Sequence, residues 1–567
     1  MQEKIWEYRN KQLKKEEIDR FAATYKVPPA IAVIMMNRGI TSEQVVGSYM
    51  KKSLESIHNP FLLCDMEEAT ERILRAVENK EKTVIYGDYD VDGITATATL
   101  YKFLKNIGAN VSYYIPDRFS EGYGINIMAV NKLARQGVGL MITVDCGITA
   151  VGEVEFAKTQ GMDIVITDHH TCREELPKAV AVINPKRADS TYPFDGLAGV
   201  GVAFKLVLAL AIKLGMSTKE VFLEYADMVA IGTVADVVPL LDENRIIVDK
   251  GIKAIQSTKN KGVNALIKAV GLSRRTLDST MISFSLAPRL NVAGRLESAK
   301  IAVELMICED EERAREIAEY LNETNCKRQE IEKNIYDDAI ELVSSFEKEQ
   351  LVYVLAGEGW HHGVIGIVAS RLCEKLYRPC VLISKEGGKG KGSGRSVEEV
   401  NLFEVLSDSE EILTAFGGHT MAAGLTVSVD RIDELRERVN AYVKKNIDVS
   451  TLVPKLKIDC NLESSSININ AAKMIAKLEP FGEGNENPVF SAHGMRILSV
   501  STMGPDSKHL RLRLTDGKET YNAVGFNMGE FCDEFNPSDV VSIAFNMNIN
   551  IYQGSENLQL LVKDIKK

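Results

Sequence analysis

The sequence predicts an α/β protein: two α/β domains joined by a long helix and followed by a small β-barrel or sandwich. Three observations predict it. From about residue 65 to 240, short apolar runs rich in β-branched residues alternate with segments of helical spacing, the pattern of a largely parallel sheet. Residues 309–345 contain neither Pro nor Gly, and their apolar positions recur at three and four, which predicts one continuous helix. Beyond about residue 455 the apolar period falls to two, which predicts hairpins.

In chain order, residues 1–50 read as a helical, peripheral segment. Residues 51–305 hold the first α/β domain, with "TVIY" (83–86) as a buried strand ahead of a helix-like stretch. Residues 306–346 contain the connecting helix. A second α/β pattern opens at "LVYVLAG" (351–357) and occupies 347–448. Residues 449–567 form the β domain, where "HLRLRLTDGKETYNAVGF" (509–526) and "INIYQGSENLQLLV" (549–562) alternate on both sides of the turns "TDGKE" and "QGSEN".

At 567 residues the chain is too long for one core, since single cores rarely grow beyond about 250–300 residues. Apolar residues at 45% and charged residues at 26% give the balance of a soluble globular protein. No stretch approaches the roughly 20 apolar residues of a membrane span. "LVLALAI" (206–212) is among the most apolar runs, bounded by Lys205 and Lys213. The N-terminus, "MQEKIWEYRNKQLKKEE", lacks a signal-peptide core, and nine cysteines without a C-x-x-C pair read as the reduced thiols of a cytoplasmic protein. A net charge of −11 argues against an all-over nucleic-acid binder, yet acids clustered in a site also lower the total, so a local basic groove is compatible with it.

"YGDYDVDG" (86–93) places Asp88, Asp90 and Asp92 where a strand hands over to a helix. In an extended chain such alternate positions point to one face, and three carboxylates there can hold a divalent cation. A solvated acidic turn is the alternative. Two more apolar strands end in the same way, "LMITVDCG" (140–147) on Asp145 and "DIVITDHH" (163–170) on Asp168, His169 and His170. Strand ends of a parallel sheet share one edge, where sites gather. "MVAIGTVADVVPL" (228–240) adds Asp236 after a further apolar run. Hard carboxylates with an imidazole suit Mn²⁺ or Mg²⁺, the nitrogen favouring manganese. So many acids exceed the needs of one ion; two ions roughly 3.5–4 Å apart would use them and suit phosphoester hydrolysis.

"YGDYDVDG", "VDCG", "TDHH" and "GTVADVVPL" resemble, in order, the four motifs of the DHH phosphoesterase superfamily. "FSLAPRLNVAGRLESA" (284–299), "GWHHGVIGIVASRL" (359–372), "FGGHTMAAG" (416–424) and "PFGEGNENPVF" (480–490) resemble, within it, the RecJ family of bacterial single-strand-specific 5′→3′ exonucleases. The resemblance runs from about residue 50 to the C-terminus. It implies a DHH catalytic domain, a DHHA1 domain and a C-terminal OB-like domain. It also implies roles. Asp90 and Asp145, joined by Asp88, would hold one metal; Asp92, Asp145, His169 and Asp236 would hold the other, with Asp145 bridging. Asp168 would orient its neighbours, and His170 would face the scissile phosphate.

"KEGGKGKGSGRSVEEV" (385–400) is rich in glycine and base, which reads either as a flexible surface loop or as a backbone cradle for an anion. By the resemblance, Ser393 and Arg395, with Arg118 from "IPDRFSEGYG", would form the pocket for a DNA 5′-phosphate. Arg289 would contact a phosphate near the scissile bond, and His419 would line the nucleic-acid path. Arg295, Asn291, Trp360 and His361 read equally well as structural residues.

The implied function is a single-stranded-DNA-specific 5′→3′ exonuclease that releases 5′-mononucleotides with two Mn²⁺ or Mg²⁺ ions, in DNA repair and recombination. A phosphodiesterase of short oligonucleotides or cyclic dinucleotides is disfavoured, because small substrates need neither the long helix nor the β domain. A non-catalytic replication scaffold is disfavoured because every candidate ligand is present. The implied partners are single-stranded DNA with a 5′ end, single-strand-binding protein and a RecQ-type helicase; the expected state is a monomer without membrane contact.

Overall fold

The apolar runs Thr83–Tyr86, Leu140–Val144 and Asp163–Thr167 are strands of one parallel sheet, completed by Val111–Tyr114 and Ala181–Ile183. The order across it is 111–114, 83–86, 140–144, 163–167, 181–183. Such unbroken apolar strands suit a sheet covered on both faces. One face, with Val84, Tyr86, Met141 and Ile164, packs against Val130, Leu133 and Val154 of two helices. The helices Val91–Asn106 and Gly199–Lys213 also pack on this sheet. From strand 83–86 the chain crosses to one side, and it later returns to place 140–144 on the other. The crevice at the carboxyl ends of these two strands is therefore a topological switch point.

This computed structural model describes residues 4–117, 121–122, 124–552 and 554–567. They fall into two units, a larger one of Trp6–Pro288, Ala299–Ala318 and Leu456–Lys567, and a smaller one of Arg289–Ser298 and Glu319–Lys455 with the first residues to Ile5. Among the described residues no helix is long and apolar enough to cross a membrane. "LVLALAI" belongs to the buried helix Gly199–Lys213, and Lys205 is not a surface boundary: it is 1% exposed and paired at 2.8 Å with the equally buried Glu243.

The larger unit also contains the β domain. Strands Phe490–Met503, His509–Thr515, Thr520–Gly525, Ser555–Lys566 and Val540–Tyr552 pair in that order, and the last returns to the first through Phe490 opposite Phe545, closing an OB-like barrel. Both predicted hairpins are present. In the first, the Asp516 carboxylate accepts from the Lys518 and Glu519 N–H groups at 2.8 and 2.7 Å, which fixes the turn.

The N-terminal segment is not peripheral. Its helices Lys15–Tyr25, Pro29–Asn37 and Glu43–Lys51 bury Phe21, Ile31, Ile34, Met35 and Tyr49 in one core with Leu478, Phe490 and Phe545 of the β domain. These apolar side chains need a partner, and the core of the β domain supplies it. Asn485, fully buried within "PFGEGNENPVF", ties the two together. Its oxygen accepts from Arg38 and from the Tyr49 hydroxyl (2.8 Å), and its amide donates to the carbonyls of Leu478 and Pro480 at 3.0 and 2.7 Å.

The helix Glu311–Ser345, 35 residues long, carries the chain from the larger unit into the smaller. The smaller unit's sheet has the order 413–418, 422–428, 389–395, 380–386, 353–358, and only the last pair is parallel. The glycine-rich basic stretch is neither a loop nor a backbone cradle. Lys389–Arg395 is a strand with ladder partners on both sides, entered by a turn at Gly387 and Gly388. Its alternate glycines allow close packing: a Cβ on Gly390 or Gly394 would lie 2.6 or 2.7 Å from Ile383 or Leu402.

Replacing Asn485 with Ala should therefore remove its four buried hydrogen bonds, leaving the Leu478 and Pro480 carbonyls to Arg245 and Arg38 to Tyr49 and Glu486, and destabilise the larger unit by about 2–4 kcal/mol. Urea unfolding in a Trp360→Phe background, where Trp6 reports on the larger unit alone, measures this; an unchanged midpoint would remove Asn485 as the tie.

Candidate metal centre

The carboxylates of "YGDYDVDG" do not share one face of an extended chain. The strand ends at Tyr86, and the helix Val91–Asn106 begins within the motif. Asp88 lies past the strand end. Asp90 is the helix N-cap, its side chain accepting from the Gly93 N–H at 3.0 Å. Asp92 stands in the first helical turn. This change of geometry divides the three. Ligand atoms of Asp88, Asp90 and Asp145 lie within 4.8 Å of one another, and so do those of Asp92, His169 and Asp236. A third such set is Asp145, His169 and His170, so Asp145 and His169 link the groups.

The switch point explains the convergence, since strands 83–86 and 140–144 are neighbours and 163–167 lies next to them. Asp145 follows its strand in the left-handed region, φ 60°, a conformation Asp tolerates better than most residues. Asp236 comes from a different kind of element. The run before it is the helix Thr218–Ala235, and Asp236 is its C-cap. Val237 next to it has φ 59°, a strained position for a β-branched residue beside the site.

Backbone groups hold the carboxylates. Asp92 accepts from the Gly199 and Val200 N–H groups at 2.6 and 2.7 Å, at the N-terminus of the helix Gly199–Lys213. Gly199 has to be glycine, because a Cβ there would lie 2.4 Å from Asp145 Oδ1; Gly93 is likewise pressed against the backbone of Asp88. Gly199 does not stand out in the sequence, whereas Gly93 closes the motif "YGDYDVDG". Asp168 accepts four hydrogen bonds, from the N–H groups of Ile148 (2.9 Å), His169 (2.7 Å) and His170 (3.0 Å) and from His170 Nδ1 (2.7 Å). Both its oxygens are engaged, so it positions the two histidines.

The electrostatics leave a deficit of positive charge. Burial, with Asp236 and Asp90 beside it, pushes Asp92 well above the usual carboxylate range despite the helix N–H groups. Burial and the charges of Asp92, Asp90 and Asp88 do the same to Asp145. Burial and Asp90 lift Asp236 to about 7. Burial, with His170 adjacent, brings His169 down to about 4, so its imidazole is neutral and offers a lone pair. Burial opposes charge on Asp168 and His170 too, but their mutual hydrogen bond holds Asp168 low and His170 high. Among the described residues, Asp145 Oδ1, Asp236 Oδ2 and His169 Nε2 are buried yet make no hydrogen bond, although Nε2 lies 3.2 Å from Asp145 and 3.6 Å from Asp236. Orphaned acceptors converging on one spot fit a divalent cation bound by oxygen and one imidazole.

The other expected residues lie in the smaller unit, except Arg118, which is outside the described residues. Arg395 Nη1 is 3.3 Å from Ser393 Oγ and 2.8 Å from the Gly394 carbonyl. Both side chains face Gly366 of the helix His362–Leu376, where a Cβ would meet them at 3.3 and 2.9 Å. Burial lowers the Arg395 pKa, and among the described residues no carboxylate pairs with it. Arg289 donates to Asn322 at 3.2 Å. His419 sits at the turn between strands 413–418 and 422–428, its N–H donating to the Ala422 carbonyl. Trp360 and His361 are structural: Trp360 is 5% exposed and donates to Asp338, and His361 caps its helix by accepting from the Gly363 N–H. Arg295 donates to the Gly363 carbonyl at 3.3 Å.

In the metal-free protein the folded state favours a protonated Asp236. Its stabilising effect is complete below about pH 4 and is lost as pH rises through about 7. The metal-free melting temperature should therefore fall between about pH 4 and 7, and Asp236→Asn should flatten that fall and raise the pH 8 value by a few degrees. Calorimetry with chelator present checks it; identical pH slopes in the two proteins would contradict the assignment.

The chain matches the DHH family N-terminal domain over residues 82–233, the DHHA1 domain over 348–445 and the RecJ OB domain over 458–564. It is 38% identical to the single-stranded-DNA-specific exonuclease RecJ of Bacillus subtilis, over 95% of this chain and 68% of that protein. Its identity to the Escherichia coli RecJ is 31%, over 98% and 99% of the two chains. The crystal structure of RecJ in complex with Mn²⁺ from Thermus thermophilus superposes with a TM-score of 0.83 at 29% identity, over 98% of this chain and 78% of that one. The three domains in this order, with full-length relatives above 30% identity, show that the chain belongs to the RecJ family of the DHH superfamily.

Proposed function

We propose that the chain is a metal-dependent exonuclease of single-stranded DNA that acts from the 5′ end, releases 5′-mononucleotides and serves DNA repair and recombination. The observation that carries this is the pair of ligand groups, Asp88–Asp90–Asp145 and Asp92–His169–Asp236, linked at one switch point in a member of the RecJ family. Asp145, shared with Asp88 and Asp90 on one side and with His169 on the other, would bridge two ions, Mn²⁺ or Mg²⁺. Such ions, when bound, supply Lewis acidity and positive charge for phosphodiester hydrolysis.

The chain's own groups supply the rest. Asp168 keeps the proton on His170 Nδ1, so the half-exposed imidazole carries positive character toward a phosphate oxygen. The neutral His169 keeps its lone pair for a cation. In the smaller unit, Ser393 and the carboxylate-free Arg395 suit a terminal phosphate, whose second charge distinguishes a 5′ end from an internal phosphodiester. On this reading 51–305 hydrolyses, 347–448 recognises the end, and 449–567 holds the strand beyond, as OB-folds do. Nine cysteines with no disulfide among them fit a reducing compartment such as the cytoplasm.

Single-stranded DNA labelled at its 5′ end tests the proposal. Labelled mononucleotide should appear in the first turnovers with Mn²⁺; a ladder of long labelled fragments would exclude 5′ attack. Asp145→Ala should bring activity to background with the fold retained by circular dichroism, and near-normal turnover would exclude the shared-ligand arrangement. Arg395→Ala should slow digestion of 5′-phosphorylated DNA about tenfold or more relative to 5′-hydroxyl DNA, since only the former loses a charge-assisted contact. Equal losses would assign Arg395 to the fold or to the general strand path.

A further inference from the structure

One stretch of the larger unit has a charge balance opposite to that of the chain. The net charge is −11, yet between Asp249 and Asp278 there are seven lysines and arginines and no carboxylate. Lys250 and Lys253 are paired with Asp249 at 3.3 and 2.8 Å. Lys268, Arg274 and Arg275 are exposed and, among the described residues, their side chains make neither an ion pair nor a hydrogen bond. They line one recess of about 610 Å³ together with the polar side chains of Ser257, Asn264 and Thr276, over an apolar floor that includes Ile267 and Leu277. No carboxylate lines it. The nearest acids in sequence are engaged: Asp249 by its lysines, and Asp278 by the Met281 N–H, which it caps at 2.7 Å.

Three like charges around a recess repel one another, and among the described residues no side chain pairs with them. Hydroxyl and amide neighbours can donate to an anion. The recess is also fixed to the scaffold of the metal centre. Thr258, on its wall, donates to the buried Asp227 at 2.5 Å, and Asp227 lies on the helix that Asp236 caps. Nine residues of helix separate the two aspartates, about 14 Å along the axis. That distance is too long for one phosphate to engage both sites, whereas a chain of phosphates can reach from one to the other.

We propose that this recess binds the phosphodiester backbone of the DNA strand, as an anchoring point separate from the metal centre; the proposal rests on the single-stranded-DNA reading above. A strand of several nucleotides or more reaches it, and a dinucleotide held at the metal centre does not.

The test compares the full chain with its Lys268→Ala/Arg274→Ala/Arg275→Ala variant, measuring binding of dye-labelled single strands in chelator, where digestion stops. For strands of about forty nucleotides, affinity should fall on the order of tenfold, and the slope of log affinity against log salt should shrink by about 2, since each phosphate contact contributes about 0.7. Dinucleotides should bind both proteins equally, and the charge-preserving Lys268→Arg/Arg274→Lys/Arg275→Lys variant should restore long-strand binding. Unchanged affinity and salt slope on long strands would overturn the proposal. Loss of pyrophosphate binding with long-strand binding intact would overturn it too, assigning the recess to a small anion. A wild-type chain that binds neither strand would overturn the single-stranded-DNA reading itself.

Discussion

Buried negative charge at the switch point is the constraint on which the rest of this structure depends. Asp92 and Asp145 are almost fully buried, and Asp88, Asp90 and Asp236 are close by. Carboxylates so placed would take up protons or push apart without compensation. The fold holds them before any cation is present. A helix N-terminus grips Asp92, four donors saturate Asp168, and a left-handed backbone turn aims Asp145. These devices fix positions and leave the net charge unbalanced, the condition under which a divalent cation binds strongly.

The same constraint reaches into the backbone. Gly199 is where a helix start must approach Asp145, and Gly93 is where a helix must approach the preceding turn. The strain at Val237 lies directly after Asp236. Close packing and unusual dihedrals thus cluster around the acids, and the sheet order decides where that cluster falls.

Away from the centre, several segments that resemble family signatures have structural work. Asn485 knots the N-terminal helices to the barrel, His361 caps a helix, Trp360 fills a core, and the alternate glycines of Lys389–Arg395 admit large apolar neighbours. Polar or glycine residues at such places are needed because a buried amide, an open helix end or a crowded strand face accepts few substitutes. Ser393 and Arg395 stand on the same strand as those glycines, so packing on one face positions these polar side chains on the other.

Much of the fold was legible because its signals are local. Period-two hairpins, an uninterrupted 3.6-period helix and unbroken β-branched strands depend on neighbouring residues alone, and Asp88, Asp145 and His169 could be read as site residues because they stand where such strands end. What the sequence could not show is where segments meet. The division of the three aspartates between two groups arises from a helix that starts inside their motif, and Asp236 arrives on a helix whose apolar run looks like a strand until its burial partners are known. The N-terminal helices found their partners more than 400 residues away, in the barrel. The sequence by itself determined the chemistry available, hard acids with an imidazole and a basic strand, because side-chain type is local. Only the tertiary structure decided which candidate ligands come within reach of one another, which glycines are obligatory and which described cations lack a partner, because those are distances between segments, set by sheet order and packing.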